Sequence, residues 1–307
     1  MRLASILLSA SCCALVACGP SVGAGGDDDD GPSVDAGPGA GDGGGDVAGC
    51  PDVDVLFVID DSGSMADQQD SLIASFPGFV AGIQSRLRSA QSVHIGVVTT
   101  EDYAANPAGC RGIGSLVTQT GGPSSSNRVC GPFASGAAWL DARDPALADR
   151  FACVGKVGAG GSSDERVARA LMNALDPAAN AAGACNAGFS RPDSLLVVVL
   201  ITDEDDVPDG CGVDGVCDSY GSGGTSADWY QAVVAARGGR ADNIVVLALI
   251  ARQLDNTCGA TPAARLLGFT NRFAPNNLVG DVCAASYDGF FLDALPVVSD
   301  ACERWVP

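Results

Sequence analysis

The chain has 307 residues, with 37 acidic against 17 basic side chains, a formal net charge of −20 and a single histidine. Acidity on this scale argues against electrostatic binding to nucleic acid or to an anionic lipid surface. With one histidine and no Cys-x-x-Cys, a zinc site is disfavoured, while the length accommodates one large α/β domain plus extensions.

At the N-terminus, Arg2 precedes an apolar run from Leu3 to Ala17 that is too short to span a bilayer. The run ends in Leu15-Val16-Ala17-Cys18, which resembles a bacterial lipobox. That resemblance implies cleavage before Cys18 and acylation of its thiol and new amino group. Several acyl chains on one residue satisfy the requirement for stable anchoring. The alternative is an ordinary secretory signal with an incidental cysteine. Residues 1–17 are therefore expected to be a signal peptide, and residues 18–49 a lipidated cysteine with its tether. Residues 19–49 are almost all Gly, Ala, Asp, Pro, Ser and Val, and include the run Asp27 to Asp30. Such a segment buries too little apolar surface to offset chain entropy and spans about 30 Å as a flexible coil. The aspartate run reads as a solvated spacer, with a calcium site as the alternative. No later segment is long and apolar enough to span a membrane. The expected location is the cell envelope, anchored by lipid to the outer membrane on its periplasmic face or at the cell surface.

Residues 50–307 are expected to form one α/β domain. They keep 16 basic and 30 acidic residues, a net −14. Ten of the 13 cysteines remain once Cys12, Cys13 and Cys18 are set aside. An even number in an exported chain points to a disulfide framework. Spacing favours Cys211–Cys217 within one Gly/Asp-rich loop and Cys258–Cys283 across one crossover. A Cys50–Cys302 bond would clip the two ends. Cys110, Cys130, Cys153 and Cys185 then pair among themselves, in an order the sequence leaves open.

Val53–Ile59 is a continuous β-branched-rich run, as are Val93–Thr99, Leu195–Thr202 and Ile244–Ile250; all four read as strands buried on both faces. After the first, Leu72, Phe76, Phe79, Ile83 and Leu87 recur at helical spacing, with Pro77 expected to kink the helix. Glu101 to Gly161 is Gly/Ser/Pro/Asn-rich and holds three cysteines, so it is expected to be a disulfide-tied excursion over the top or edge of the sheet. A short edge strand is expected near Ser115–Gln119. Val167, Leu171 and Leu175 mark a helix, and a further one runs from Thr225 to Arg237, stopping at Gly238-Gly239. A weaker strand, Leu278–Cys283, precedes a last helix from about Ser286 to Trp305. Strands alternating with helices predict a doubly wound, mostly parallel α/β sheet, whose ligands bind beyond the carboxyl ends of the strands.

The first strand ends in Ile59-Asp60-Asp61-Ser62-Gly63-Ser64-Met65. Asp60, Ser62 and Ser64 offer one carboxylate and two hydroxyls from a single turn, the oxygen donors that hard divalent cations take. This Asp-x-Ser-x-Ser resembles the metal-ion-dependent adhesion site (MIDAS) of von Willebrand factor type A domains. The phrases Asp-x-Ser-Gly-Ser-Met, Gly-Val-Val-Thr-Thr and Thr-Asp-Glu-Asp-Asp are similar to exported type A lipoproteins of myxobacteria-like bacteria. The resemblance implies a Rossmann-like fold and a site for Mg²⁺, or Ca²⁺ or Mn²⁺, at the sheet top. Leu200-Ile201-Thr202-Asp203 matches the family's later aspartate. The family's threonine after a glycine-rich turn aligns with Glu165 in Gly160-Gly161-Ser162-Ser163-Asp164-Glu165. Glu165 is thus either a ligand, direct or through water, or half of a capping box with Ser162. Ser162, Ser163, Thr99 and Thr100 are alternative hydroxyl donors. Asp61 is expected to point away from the cation. Glu204, Asp205 and Asp206 read as a solvated rim or a second cation site.

The resemblance implies a lipid-anchored binding or adhesion module for a protein partner or an extracellular matrix component. One alternative is a metal-independent structural or interaction lipoprotein with a degenerate site. The other is a hydrolase, for which His94 is the sole candidate base; it lies inside a strand and reads as a packed histidine. No Gly-x-Ser-x-Gly or Walker pattern is present, and the chain is not expected to be an enzyme.

Overall fold

The computed structural model describes residues 49–206 and 221–307. The expected signal peptide, Cys18, nearly all of the tether and the Cys211–Cys217 pair lie outside the described residues. In chain order the elements are β1 (Asp52–Ile59), α1 (Ala66–Arg86), β2 (Ser92–Thr99), β3 (Leu140–Asp141), α2 (Leu147–Val154), α3 (Val167–Leu175) and α4 (Pro177–Asn180). They continue with β4 (Leu195–Ile201), α5 (Ser226–Ala235), β5 (Ile244–Ile250), α6 (Ala264–Thr270), β6 (Asn277–Asp281) and α7 (Asp288–Glu303).

The six strands form one sheet in the order β3-β2-β1-β4-β5-β6. Five are parallel, and β3 joins the edge antiparallel to β2. This is a Rossmann-like, doubly wound order, and its direction of winding reverses between β1 and β4. The apolar runs explain the strands: β4 and β5 are buried at every residue because helices cover both faces.

Alternation along β1 divides the core. Val53, Val55, Phe57 and Ile59 face α1, α2 and α7, whereas Leu56 and Val58 face α3, α5 and α6. Phe57 meets Phe76, Phe79 and Phe151 edge-on, with ring centroids 4.9–6.3 Å apart. Burying such a side chain contributes about 2–3 kcal/mol, which fixes α1 and α2 against β1. The helix α1 continues through Pro77. At the amino end of the sheet Asp54 is fully buried, and its carboxylate accepts from Arg191, Arg237 and Ser194.

Four disulfides are present among the described residues: Cys50–Cys302, Cys110–Cys185, Cys130–Cys153 and Cys258–Cys283. The second and third resolve the order left open above. Cys130–Cys153 staples the 101–161 excursion to itself, and Cys110–Cys185 ties it to the segment before β4. The expected edge strand at Ser115–Gln119 is corrected. That segment gives β2 one backbone bond, from Val117 N–H to the Val97 carbonyl at 2.8 Å, while the edge strand is Leu140–Asp141. Cross-links and side chains hold Ser115–Gln119 beside β2 without a ladder.

Candidate metal centre

Register brings the site together. Ile59 pairs with Thr99 on one side and Ile201 on the other, so the next residues, Asp60, Thr100 and Thr202, emerge side by side at the carboxyl ends of β1, β2 and β4. This is the crevice where the winding reverses, the place such sheets bind ligands.

Asp60 is fully buried and held at both oxygens. Its Oδ1 accepts the Ser62 N–H at 2.7 Å, turning the chain, and its Oδ2 accepts the Thr202 hydroxyl at 2.7 Å. The hydroxyls of Ser62 and Ser64 lie 3.4 Å apart, and Met65 N–H closes the turn on the Ser62 carbonyl before α1 begins. Gln69, buried in the first turns of α1, donates to the carbonyls of Asp60 (3.0 Å) and Gly158 (2.7 Å) and accepts from Gly158 N–H (3.0 Å). It thereby fastens the end of the excursion to the loop carrying Asp60. Neither Thr202 nor Gln69 stands out in the sequence as a positioning residue; only register and three-dimensional proximity reveal them.

Asp203 and Glu165 each lie close enough to Asp60 for the charges to interact. Asp203 is 3% exposed and its Oδ1 has no hydrogen-bond partner; Glu165 is 1% exposed and neither of its oxygens has one. The Thr100 hydroxyl lies near enough to Glu165 to favour its charged form, yet outside hydrogen-bond geometry. An unpaired buried carboxylate is costly, so Glu165 should sit protonated or beside a cation. Burial, and then the Asp60 charge, push Glu165 up to about 10. Burial pushes Asp60 up to about 6 against its two hydrogen bonds. Asp61 is pushed up to about 8 by burial, then by Glu101 and Asp60.

The capping-box alternative for Glu165 is corrected. The helix α3 starts at Val167, and Ser162 donates instead to Glu101 Oε2 at 2.9 Å. Asp206 and Ser222 cap it from a distance, accepting Ala168 N–H at 2.8 Å and Arg169 N–H at 2.7 Å. At the end of the acidic run Asp206 is buried and is no solvated rim. Asp205 accepts the N–H groups of Arg265 and Leu266 at the start of α6, and Asp206 is fully buried against Ala168 and Ser222. Two helix starts use the oxygens of these side chains as caps.

Of the alternative hydroxyls, Thr99 donates to the Glu101 carbonyl at 3.1 Å, and Ser162 and Ser163 are exposed. Asp61 Oδ1 accepts the Thr100 hydroxyl at 3.4 Å, and Asp61 lines a cleft together with Glu101. His94 pairs in register with Asp54, five residues before the end of β1, about 17 Å from the sheet top. It stacks on Trp139 at 3.5 Å and meets the Phe189 carbonyl at 3.2 Å, out of reach of either serine. Burial lowers its pKa.

The donors fit a hard divalent cation: two carboxylates at strand ends, two serine hydroxyls, and unpartnered buried oxygens on Asp203 and Glu165. Among the described residues no three Asp, Glu, His or Cys side chains form a metal site by themselves. Hydroxyls and water would have to complete the coordination. Among the described residues no helix is long and apolar enough to cross a membrane. No protein-family model and no curated protein matches this chain.

Proposed function

We propose that residues 50–307 are a divalent-cation-dependent binding module of the von Willebrand factor type A kind. The observation that carries this reading is the pair of buried side chains with unpartnered oxygens, Asp203 and Glu165, close to Asp60 where the sheet's winding reverses. Asp60, Ser62, Ser64 and Asp203 would hold Mg²⁺, or Ca²⁺ or Mn²⁺, with Glu165 joining through a water molecule. When bound, the cation supplies positive charge and an electrophilic position at which a partner's oxygen can dock. The chain's own contribution is rigidity: Thr202 and the Ser62 N–H fix the Asp60 carboxylate, and Gln69 fixes its backbone. Acylation of Cys18 would anchor the module to the outer membrane, and the 19–49 tether would let it reach a protein partner or matrix component. The protein acts by binding, without catalysis.

One observation favours a second reading. A neutral Glu165, standing where the family has threonine, lets the fold persist with a proton in place of the cation. A metal-independent interaction protein would keep such a site. Calorimetric titration of the full chain with MgCl₂ and CaCl₂ separates the two. The cation reading requires saturable binding that Asp60→Ala abolishes; absence of heat and of thermal stabilisation with both salts leaves the second reading.

A further inference from the structure

Beside the cation site, on the β2 side, the 101–161 excursion encloses a cleft of about 380 Å³. Asp61, Glu101, Tyr103, Ala104, Ala105 and Pro123 are among its walls. The cleft is built rather than incidental. The Tyr103 hydroxyl donates to the Val157 carbonyl at 2.5 Å and accepts Gly121 N–H at 3.3 Å. Ala159 N–H reaches the Pro123 carbonyl at 2.8 Å, and Gly161 N–H reaches the Asp61 carbonyl at 2.7 Å.

Two carboxylates converge here. A Cβ on Gly161 would stand 2.9 Å from both the Asp61 carboxyl carbon and Glu101 Oε1. Asp61 is 4% exposed; its Oδ1 takes one long hydrogen bond from Thr100 at 3.4 Å, and its Oδ2 has no partner among the described residues. Ser162 occupies Glu101 Oε2 and leaves Oε1 without a partner there. Neither residue forms an ion pair among the described residues. Two acceptor oxygens therefore open on a space walled by an aromatic ring, two alanines and a proline. That volume exceeds what an ion needs and lies at the small end of ligand sites, where one long side chain fits. An apolar wall ending in two convergent carboxyl groups with unpartnered oxygens matches an aliphatic stem with a cationic head.

We propose that this cleft receives the side chain of an arginine or lysine presented by a protein partner. Its head sits between Asp61 and Glu101 and its stem lies along Tyr103, Ala104 and Pro123. The inference goes beyond the cation site and does not require a bound cation. The test uses blocked Ala-Ala-Arg-Ala-Ala, its lysine form and its citrulline form, titrated calorimetrically into the full chain in EDTA. The charged peptides are expected to bind at least about tenfold tighter than citrulline, the difference one charge-assisted contact makes. Glu101→Gln, which can still accept from Ser162, should erase that preference. Ala104→Leu, which narrows the cleft without touching a carboxylate, should abolish binding. Thermal midpoints report the folding of both variants. Equal binding of the citrulline form, a preference retained in Glu101→Gln, or no binding by any peptide overturns the proposal. Because EDTA is present throughout, failure here is separable from failure of the cation site.

Discussion

Replacing Glu165 with glutamine should remove a pH dependence from the cation-free protein. The folded-state value of Glu165 is raised from 4.5 to about 10 by burial and the neighbouring Asp60. Its contribution to stability is therefore fully present below pH 4.5 and is lost progressively as pH rises towards 10, because the unfolded chain releases a proton that the folded chain retains. Between pH 5 and 7 this amounts to about 1.4 kcal/mol per pH unit, so about 2–3 kcal/mol in all. For a chain of this size that is on the order of 5–10 °C in thermal midpoint. Glutamine has no proton to release, so its midpoint should fall less steeply over the same range. Asp60 and Asp61, also raised, leave both proteins a residual slope. The assay is differential scanning calorimetry of both proteins at pH 5, 6 and 7 in EDTA. Mg²⁺ should restore the wild-type midpoint at pH 7 and stabilise Glu165→Gln less. Parallel midpoint-against-pH lines in EDTA would refute the electrostatic account, and equal Mg²⁺ affinities would remove Glu165 from the ligand set.

Asp206→Ala strips acceptors from Ala168 N–H and from both donors of Ser222, and should cost about 2–4 kcal/mol by chemical denaturation. Gly161→Ala drives a methyl to 2.8 Å from the Asp61 carbonyl oxygen and should lower stability by about 1–3 kcal/mol, with loosened cation binding read by calorimetry. Cys18→Ser should move the protein out of the detergent phase in Triton X-114 partitioning or block its maturation; unchanged partitioning would refute the acyl anchor. Thiol alkylation under denaturing, non-reducing conditions should leave Cys50, Cys110, Cys130, Cys153, Cys185, Cys258, Cys283 and Cys302 unlabelled.

Long apolar runs were legible because burial on both faces demands them: Ile244–Ile250 is a strand from end to end, and Val53–Ile59 needs one residue added. The helix at Val167–Leu175 follows from its spacing. The Thr225 start of α5 is a true capping box with Asp228, three residues on. Elements of low periodicity stayed hidden. The two-residue strand Leu140–Asp141 is too short to carry a pattern, and α2 lies within a Gly/Ser-rich stretch. At the site, the Asp60–Ser62–Ser64 turn is local and therefore readable. The caps on α3 come from residues 38 and 53 positions away, so the nearer Ser162-x-x-Glu165 pattern misleads. The Gln69 clamp reaches 89 residues along the chain and carries no sequence signature.

The placement of β1 has a mechanical consequence. The chain enters this strand beside Cys50 and leaves it at Asp60, with β2 on one flank and β4 on the other. A pull between the candidate site and the chain preceding the domain would run along the strand axis. It would load the eight-residue register with β2 and the seven-residue register with β4 in shear, all rungs together, instead of peeling them one by one. The Cys50–Cys302 bond would divert part of that load into α7 before it reaches the sheet. A domain built this way would yield to such a pull through the simultaneous failure of two ladders, so its lifetime under tension would be set by an unfolding rate and not by equilibrium stability.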